Sequence, residues 1–294
     1  MSASRCGVVA LAGRPNTGKS SLFNRLVGEK LAIVSPRPQS TRHVVRGVHT
    51  TAECQYVFVD SPGWQTRYGG VLNRALNRRA EEAARDADVV LFVVEAMRFG
   101  AEDRAVLARL ATDAKIVCAV NKVDRLARAT DLLPFLARLG REERFAELVA
   151  VSARTGRNVP ELLKVLAGLL PEGPALYDPS ELTDQDQRFF AAEILREKIF
   201  LFLGEELPYR CEVVVDRFEE AEELRRIGAS VWVERESQKA IVIGRGGGML
   251  KRIASAARLD MERLFGGRVY LEVWVRVRRA WTDDTRALRR LGYV

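Results

Sequence analysis

Asn121-Lys122-Val123-Asp124 carries the residue types needed to read a guanine base. Guanine presents two donors on one edge, the ring N1–H and the exocyclic amine. A single carboxylate, Asp124, can accept both. Adenine lacks the N1–H and carries an amine where guanine has a carbonyl. A carboxylate facing adenine is left partly unpaired, and polar sites of this kind discriminate strongly. Asn121 can bond the other polar edge of the base or tie back to the phosphate loop, and the stem of Lys122 can cover one base face. Well upstream stands Gly13-Arg14-Pro15-Asn16-Thr17-Gly18-Lys19-Ser20, followed by Ser21. Its spacing is that of a phosphate-binding loop. The loop can wrap its backbone N–H groups around phosphates, and Gly13 and Gly18 allow approaches that a Cβ would hinder. Lys19 reaches the β- and γ-phosphates, and the Ser20 hydroxyl is placed for Mg²⁺. A phosphate loop alone predicts a nucleotide; the two motifs in this order predict GTP or GDP.

Further candidates lie between and after these motifs. In Asp60-Ser61-Pro62-Gly63, Asp60 is a candidate metal ligand acting through water, and the Gly63 N–H can meet a γ-phosphate. Thr41 can bind Mg²⁺ through its hydroxyl when GTP is present. Ser152 and Ala153 follow a strand and could place a backbone N–H on the guanine carbonyl. Lys19, Thr41 and Gly63 are the candidate catalytic groups. Trp64 stands where many GTPases have a water-orienting glutamine, a role its indole cannot take.

These residues need elements to hold them. Apolar runs predict strands over 6–12, 43–50, 55–60, 89–94, 116–120 and 148–151, with helices over 19–27, 103–110 and 160–170. This is a βαβ progression around a mainly parallel sheet. One antiparallel pair is expected, because 43–50 and 55–60 are too close for a crossover. The proline-rich stretch after Pro171-Glu172-Gly173-Pro174 reads as a linker. A long amphipathic helix is expected from 186 to about 203. Strands are expected over 211–215, 230–234, 240–243 and 269–277, with a helix running from the glycines at 244 to about 265.

The bulk properties narrow the class. A chain of 294 residues, nearly half hydrophobic, suggests two domains or one large one. The formal net charge of +8 permits a polyanionic partner. Cys6, Cys54, Cys118 and Cys211 are scattered without Cys-x-x-Cys spacing, which argues against disulfides and zinc. No apolar stretch reaches membrane-spanning length, and the first apolar run leads into the phosphate loop, so a cytoplasmic chain is expected.

In the second half, Gly244-Arg245-Gly246-Gly247 is a Gly-x-x-Gly turn, here expected to join a strand to a helix. Such a turn lets a nucleic-acid backbone approach peptide N–H groups. Lys239, Arg245, Lys251 and Arg252 make its surroundings basic, with Arg235 and Arg258 beyond them. Trp274 suits base stacking or packing on a strand.

With these motifs in place, the chain resembles the Era family of bacterial GTPases over nearly its whole length. The first-half matches include the phosphate loop, Thr41-Arg42-His43, Asp60-Ser61-Pro62-Gly63, Phe92-Val93-Val94-Glu95 and Asn121-Lys122-Val123-Asp124. The second-half matches include Arg196-Glu197-Lys198, Glu206-Leu207-Pro208-Tyr209, the stretch Val233 through Lys239, Val242-Ile243-Gly244, and Leu291-Gly292-Tyr293-Val294. The resemblance implies an α/β, Ras-like GTPase domain with a mostly parallel sheet, followed by an α+β type II KH RNA-binding domain. The expected boundaries are a GTPase domain over 1–172, a linker over 173–184 and a KH domain over 185–294. It implies binding to the 3′ end of 16S ribosomal RNA, a role in 30S subunit assembly, a monomer, and peripheral contact with the cell membrane. Asn16 points to K⁺ as an aid to hydrolysis beside Mg²⁺. Two departures are Ser40, where the family usually has threonine, and Arg245-Gly246, where it often has a polar residue and lysine. The competing reading keeps the GTPase and makes the second domain a docking module for a protein or membrane.

With tryptophan in place of glutamine, intrinsic hydrolysis is expected to be slow and to be accelerated by a cation or partner. A single-turnover assay would overturn this by showing fast hydrolysis with neither present.

Overall fold

The computed structural model describes residues 4–64, 69–142, 144–221 and 224–293. The chain divides into two compact units, the first made of Met1–Ala32, Thr41–Gly69 and Asn73–Asp184, the second of Ile33–Ser40, Gly70–Leu72 and Gln185–Val294. No described helix is long and apolar enough to cross a membrane.

The first unit is a six-stranded sheet. Its strands are β1 (Arg5–Ala12), β2 (Val45–Thr50), β3 (Cys54–Asp60), β4 (Val89–Glu95), β5 (Ile116–Asn121) and β6 (Glu147–Ala150), in the order β2-β3-β1-β4-β5-β6. Only the β2–β3 pair is antiparallel, as expected from the short connection. The other pairs are parallel. Helices α1 (Lys19–Val27), α2 (Val71–Arg85), α3 (Ala101–Leu107), α4 (Leu132–Leu139) and α5 (Val159–Leu169) complete the unit.

The reason for parallel pairing is visible in β4, whose residues 89–94 are all buried. Alternate residues Val90, Phe92 and Val94 join a core with Ala80 of α2, Val106 and Leu107 of α3, and Phe135 and Leu139 of α4. A strand apolar on both faces must be covered on both faces, which crossover helices do. The loops after β1, β3, β5 and β6 all leave the carboxyl ends of parallel strands. Ligands collect in that place in open α/β sheets.

The stretch read as a linker does not hang free. Gln55 on β3 accepts from the backbone N–H groups of Leu176 and Tyr177 at 2.8 and 2.9 Å. Its Nε2 donates to the Tyr177 carbonyl at 2.8 Å and to Thr50 Oγ1 at 3.0 Å. Further on, Val48 N donates to Leu182 O at 2.8 Å, and Thr183 Oγ1 to Arg46 O at 2.7 Å. The last two bonds cover the outer edge of β2, the terminal strand of the sheet, which would otherwise offer unpaired donors. Proline content signalled the absence of helix, and long-range pairing supplied the order.

The second unit contains α6 (Gln187–Phe202), β7 (Glu212–Glu220), β8 (Leu224–Val233), α7 (Glu236–Ile243), α8 (Gly248–Phe265), β9 (Arg268–Val277) and α9 (Thr285–Arg290). The sheet order is β7-β8-β9, with β7–β8 antiparallel and β8–β9 parallel. Leu195 and Ile199 of α6 and Ile253, Ala257 and Met261 of α8 pack on Val231, Val233 and Val275.

The structure departs from the sequence expectations in several places. Residues 240–243 form the end of α7, not a strand. Gln238 Oε1 accepts from the N–H groups of Glu234 and Arg235 at 2.8 and 3.1 Å, which starts a helix. Val242 then faces the core and Ile241 faces solvent. A short apolar run fits both periods, and this cap decides between them. The hairpin of β7 and β8 is also longer than the expected strands over 211–215 and 230–234, because charged residues continue the pairing outward. Finally, α6 is not simply amphipathic: Glu193, Arg196, Glu197 and Lys198 are buried along with its apolar face. Helices α2, α4 and α9 have no counterpart among the expected elements.

Replacing Gln55 with Leu would leave two part-buried N–H groups and a carbonyl without partners. A loss of about 2–4 kcal/mol is expected in chemical denaturation. A change below about 0.5 kcal/mol, within the range of ordinary surface substitutions, would show that the 176–177 segment is not held there.

Candidate nucleotide and nucleic-acid sites

The phosphate loop lies between β1 and α1. Gly13 and Gly18 have φ of 140° and 95°. At Gly18 a Cβ would stand 2.3 Å from Asn121 Nδ2, so no side chain fits there. Lys19 is buried and donates to the carbonyls of Gly13 and Arg14, each at 3.0 Å. Burial pushes its pKa down to about 8; Asp60 acts against this shift and Arg14 adds to it. Gly63 stands directly opposite, where a Cβ would lie 3.0 Å from Lys19 Nζ and 3.4 Å from Pro15 Cα.

The three candidate metal ligands converge. Ser20 Oγ lies 2.7 Å from Asp60 Oδ2 and 2.9 Å from Thr41 Oγ1. Thr41 Oγ1 lies 3.4 Å from Asp60 Oδ2. Two hydroxyls and a carboxylate form the hard oxygen set that suits Mg²⁺. The remaining loop positions serve the scaffold. Thr17 Oγ1 donates to Arg14 O at 3.2 Å, and Ser61 Oγ to Leu11 O at 3.3 Å. Pro62 is buried beside it, and Ser21 is half-buried in the first turn of α1. The Arg14 side chain pairs with Asp103 at 3.0 Å.

At the base end, Asn121 ties two loops together. Its Nδ2 donates to Thr17 O at 2.9 Å, and its Oδ1 accepts from Ala153 N at 3.0 Å. Of the two roles open to Asn121, the structure has the tie to the phosphate loop. The Ala153 amide is thereby engaged, so a guanine carbonyl would have to share it or use a neighbouring amide. Asp124 accepts from Ser152 Oγ at 2.6 Å and pairs with Arg154 at 2.9 Å. The Ser152 bond holds its carboxyl below the usual value; burial opposes this and Arg154 adds to it. Asp124 is therefore an anion ready for two donors, with exposed Arg154 as the partner a base would displace. Lys122 Nζ reaches Asn16 O at 2.6 Å and Glu95 at 3.0 Å, which lays its stem beside the loop.

Three supporting residues had no role at the site assigned from the sequence. Glu95 is 3.0 to 3.9 Å from Lys122, Arg125, Arg14 and Arg98. Arg25 holds the carbonyls of Ala153 and Arg154 at 3.1 and 2.8 Å. Asp103 anchors Arg14. A polar residue ending a buried strand was the available signal for Glu95; nothing local marked Arg25. Trp64 turns into the core beside Ala12 and Phe92 and is 2% exposed. Its indole N–H has no partner among the described residues.

In the second unit the Gly-x-x-Gly turn joins α7 to α8. Gly244 has φ 71°, and a Cβ there would lie 2.6 Å from Met249 Cβ. Gly246 and Gly247 also have positive φ, and Gly247 caps α8. Arg245, Lys251 and Arg252 are exposed, and Lys239 is half-buried on α7. The Arg252 guanidinium lies 4.4 Å from the centre of the Phe202 ring. Trp274 is 46% exposed on β9, a surface position rather than core.

Comparison with known proteins gives the same two-part picture. A family described as 50S ribosome-binding GTPase matches residues 8–122, and a KH domain family matches residues 206–282. The GTPase Era of Chromobacterium violaceum is 49% identical over 287 residues, 98% of this chain and 97% of its own. That of Neisseria meningitidis serogroup C is 49% identical over 291 residues, 98% of this chain and 94% of its own. An Aquifex aeolicus Era variant bound to GDP–aluminium fluoride has a similar structure, with a TM-score of 0.95 and 33% identity over 99% of both chains. An Era in complex with MgGDPNP and nucleotides 1506–1542 of 16S ribosomal RNA gives the same TM-score, identity and coverage.

Because burial lowers the Lys19 pKa to about 8, a triphosphate arriving beside it should raise that value. Above pH 8, GTP binding should therefore take up protons, and affinity should fall as pH rises. Calorimetry at pH 8.5 in two buffers of different ionisation enthalpy measures this; no uptake would overturn the placement of Lys19 against phosphate.

Proposed function

This chain belongs to the Era family of GTPases, and from that premise we propose a GTP-driven switch in ribosome assembly. It hydrolyses GTP to GDP and phosphate, and it holds the 3′ end of 16S ribosomal RNA while the 30S subunit is assembled. The observation that carries the reading is the convergence of Ser20, Thr41 and Asp60 beside Lys19, with ionised Asp124 at the far end of the same loop system. The related Era bound to MgGDPNP and 16S ribosomal RNA supports both halves of the proposal.

The residues divide the work. Asp124 takes the two guanine donors, and Lys122 shields a base face. The backbone of residues 13–21 wraps the phosphates, with Lys19 supplying the fixed cation. Mg²⁺ held by the Ser20 and Thr41 hydroxyls, with Asp60 behind them, would offset charge on the phosphate oxygens. The Gly63 N–H lies where loss of a terminal phosphate would be felt. Trp64 is withdrawn into the core, which leaves backbone groups, a bound ion or a side chain from elsewhere to orient the water. Asn16 is exposed on the loop, and its side-chain amide oxygen would be the group to help hold K⁺ as that ion, since its main-chain carbonyl is already taken by Lys122.

For the RNA, Gly244 and Gly247 keep the turn low enough for a phosphate to approach, and Arg245, Lys251 and Arg252 supply charge. A single-stranded RNA threads past such a turn and leaves its bases open to reading. The cytoplasm, where ribosomes form, is the compartment this function requires.

Changing Gly244 and Gly247 together to Asp should weaken binding of a 16S 3′-end oligonucleotide by about tenfold or more, by analogy with losing charge-assisted phosphate contacts. GTP affinity should be unaltered. RNA affinity should also fall steeply with salt in the unaltered chain. Unchanged RNA affinity in the folded double variant would reject the RNA role and favour a protein- or membrane-docking surface.

A further inference from the structure

The four buried charges of α6, Glu193, Arg196, Glu197 and Lys198, lie outside the residues assigned above to the nucleotide site and the Gly-x-x-Gly turn. Arg196 is 0% exposed. Two of its guanidinium nitrogens donate to the two oxygens of Glu193 at 2.9 and 2.7 Å. The third donates to the main-chain carbonyl of Ser40. Its neighbour Glu197 accepts from the backbone N–H of Val34 at 3.1 Å and is backed by Lys198 at 3.1 Å, which also reaches Asp260. Adjacent side chains on one helix thus grip the segment Ile33–Ser40 near both ends, and that segment belongs to the same compact unit as α6.

The grip extends one bond beyond the segment. The Ser40 carbonyl shares a rigid peptide plane with the Thr41 nitrogen. A carbonyl fixed by a guanidinium therefore fixes the plane from which Thr41 departs. Thr41 Oγ1 sits 2.9 Å from Ser20 Oγ. Burying an ion pair brings little net stability compared with apolar packing, so its use here is better understood as aiming a specific group. Arginine suits this role because its planar fork pairs with a carboxylate and still presents a further donor, whereas lysine offers one compact charge.

We propose that Arg196 and Glu197 are positioning residues for Thr41, holding the 33–40 segment so that the Thr41 hydroxyl meets the metal of the GTP-bound state. The inference rests on the reading of Thr41 as a metal-binding hydroxyl and adds the groups that aim it. GDP, lacking the terminal phosphate, places less demand on Thr41.

The test uses the full chain, GDP and the non-hydrolysable GDPNP, with thermal melting as a check on folding. Arg196→Lys keeps a charge for Glu193 but gives up the reach to Ser40. Expected are GDP affinity within about twofold of the unaltered chain and GDPNP affinity lower by about tenfold, the size of one charge-assisted bond. The Mg²⁺ needed for half-maximal single-turnover hydrolysis should rise. Glu197→Ala, which frees the Val34 end, should shift the same ratio, and Glu197→Gln, which keeps an acceptor, should restore it. If Arg196→Lys does not fold, the Glu197 pair decides. A folded variant set with an unchanged GDPNP-to-GDP ratio, or with both nucleotides weakened equally, overturns the positioning role and leaves only a structural one. An unaltered chain that binds neither nucleotide would instead remove the reading of the nucleotide site, and the positioning role with it.

Discussion

The side-chain amide of Asn121 joins the phosphate end of the nucleotide site to its base end. It is buried, and each of its polar atoms meets a backbone partner from a different loop, Thr17 O and Ala153 N. An amide can do this because it is both donor and acceptor. Gly18 has no space for a side chain because that amide occupies it. With the two loops joined, Asp124 stands at a set distance from Lys19, and Ser152 can hold its carboxylate ionised. A ligand then meets a site already arranged, and little ordering entropy remains to be lost on binding.

The sheet makes this junction possible. Residues at 13–18, 60–63, 121–124 and 151–153 are far apart in the chain. Each follows the carboxyl end of a parallel strand, so all emerge along one edge. The strands pair in parallel because both faces are apolar and both are covered by helices. The outer edge at β2 is closed by the chain itself, through the bonds of Val48 to Leu182 and of Thr183 to Arg46. Backbone geometry also explains the turn at 244–247 in the second unit, where glycines with positive φ let α7 stop and α8 begin with no side chain between.

Charge in this protein is used in two distinct ways. At the nucleotide site it is poised for a partner: burial brings Lys19 toward neutrality, and Asp124 is held as an anion. In the proposed binding mode, phosphate would settle the first and guanine the second. On α6 it is satisfied internally, and burial of Arg196 is offset by the Glu193 carboxylate and its hydrogen bonds. Groups of the first kind recognise a ligand; groups of the second kind hold main chain in place. Trp64 belongs to neither, since it leaves the site for the core and removes a water-orienting side chain from beside Gly63.

What the sequence by itself determined is whatever depends on near neighbours. The phosphate loop, the guanine-reading tetrapeptide, the apolar strands around them and the Gly-x-x-Gly turn are contiguous, and their chemistry follows from residue type and spacing. The break after residue 170 was equally local, since it depends on proline. Tertiary structure decided the rest. Whether 240–243 was strand or helix turned on a cap from Gln238, since both periods bury Val242. Glu95 and Arg25 became part of the nucleotide site only because loops distant in sequence met them. Arg196 could have been an exposed residue on an amphipathic helix until packing placed the Ser40 carbonyl against it. Contacts of that range depend on which surfaces exclude water together, and no local spacing encodes that choice.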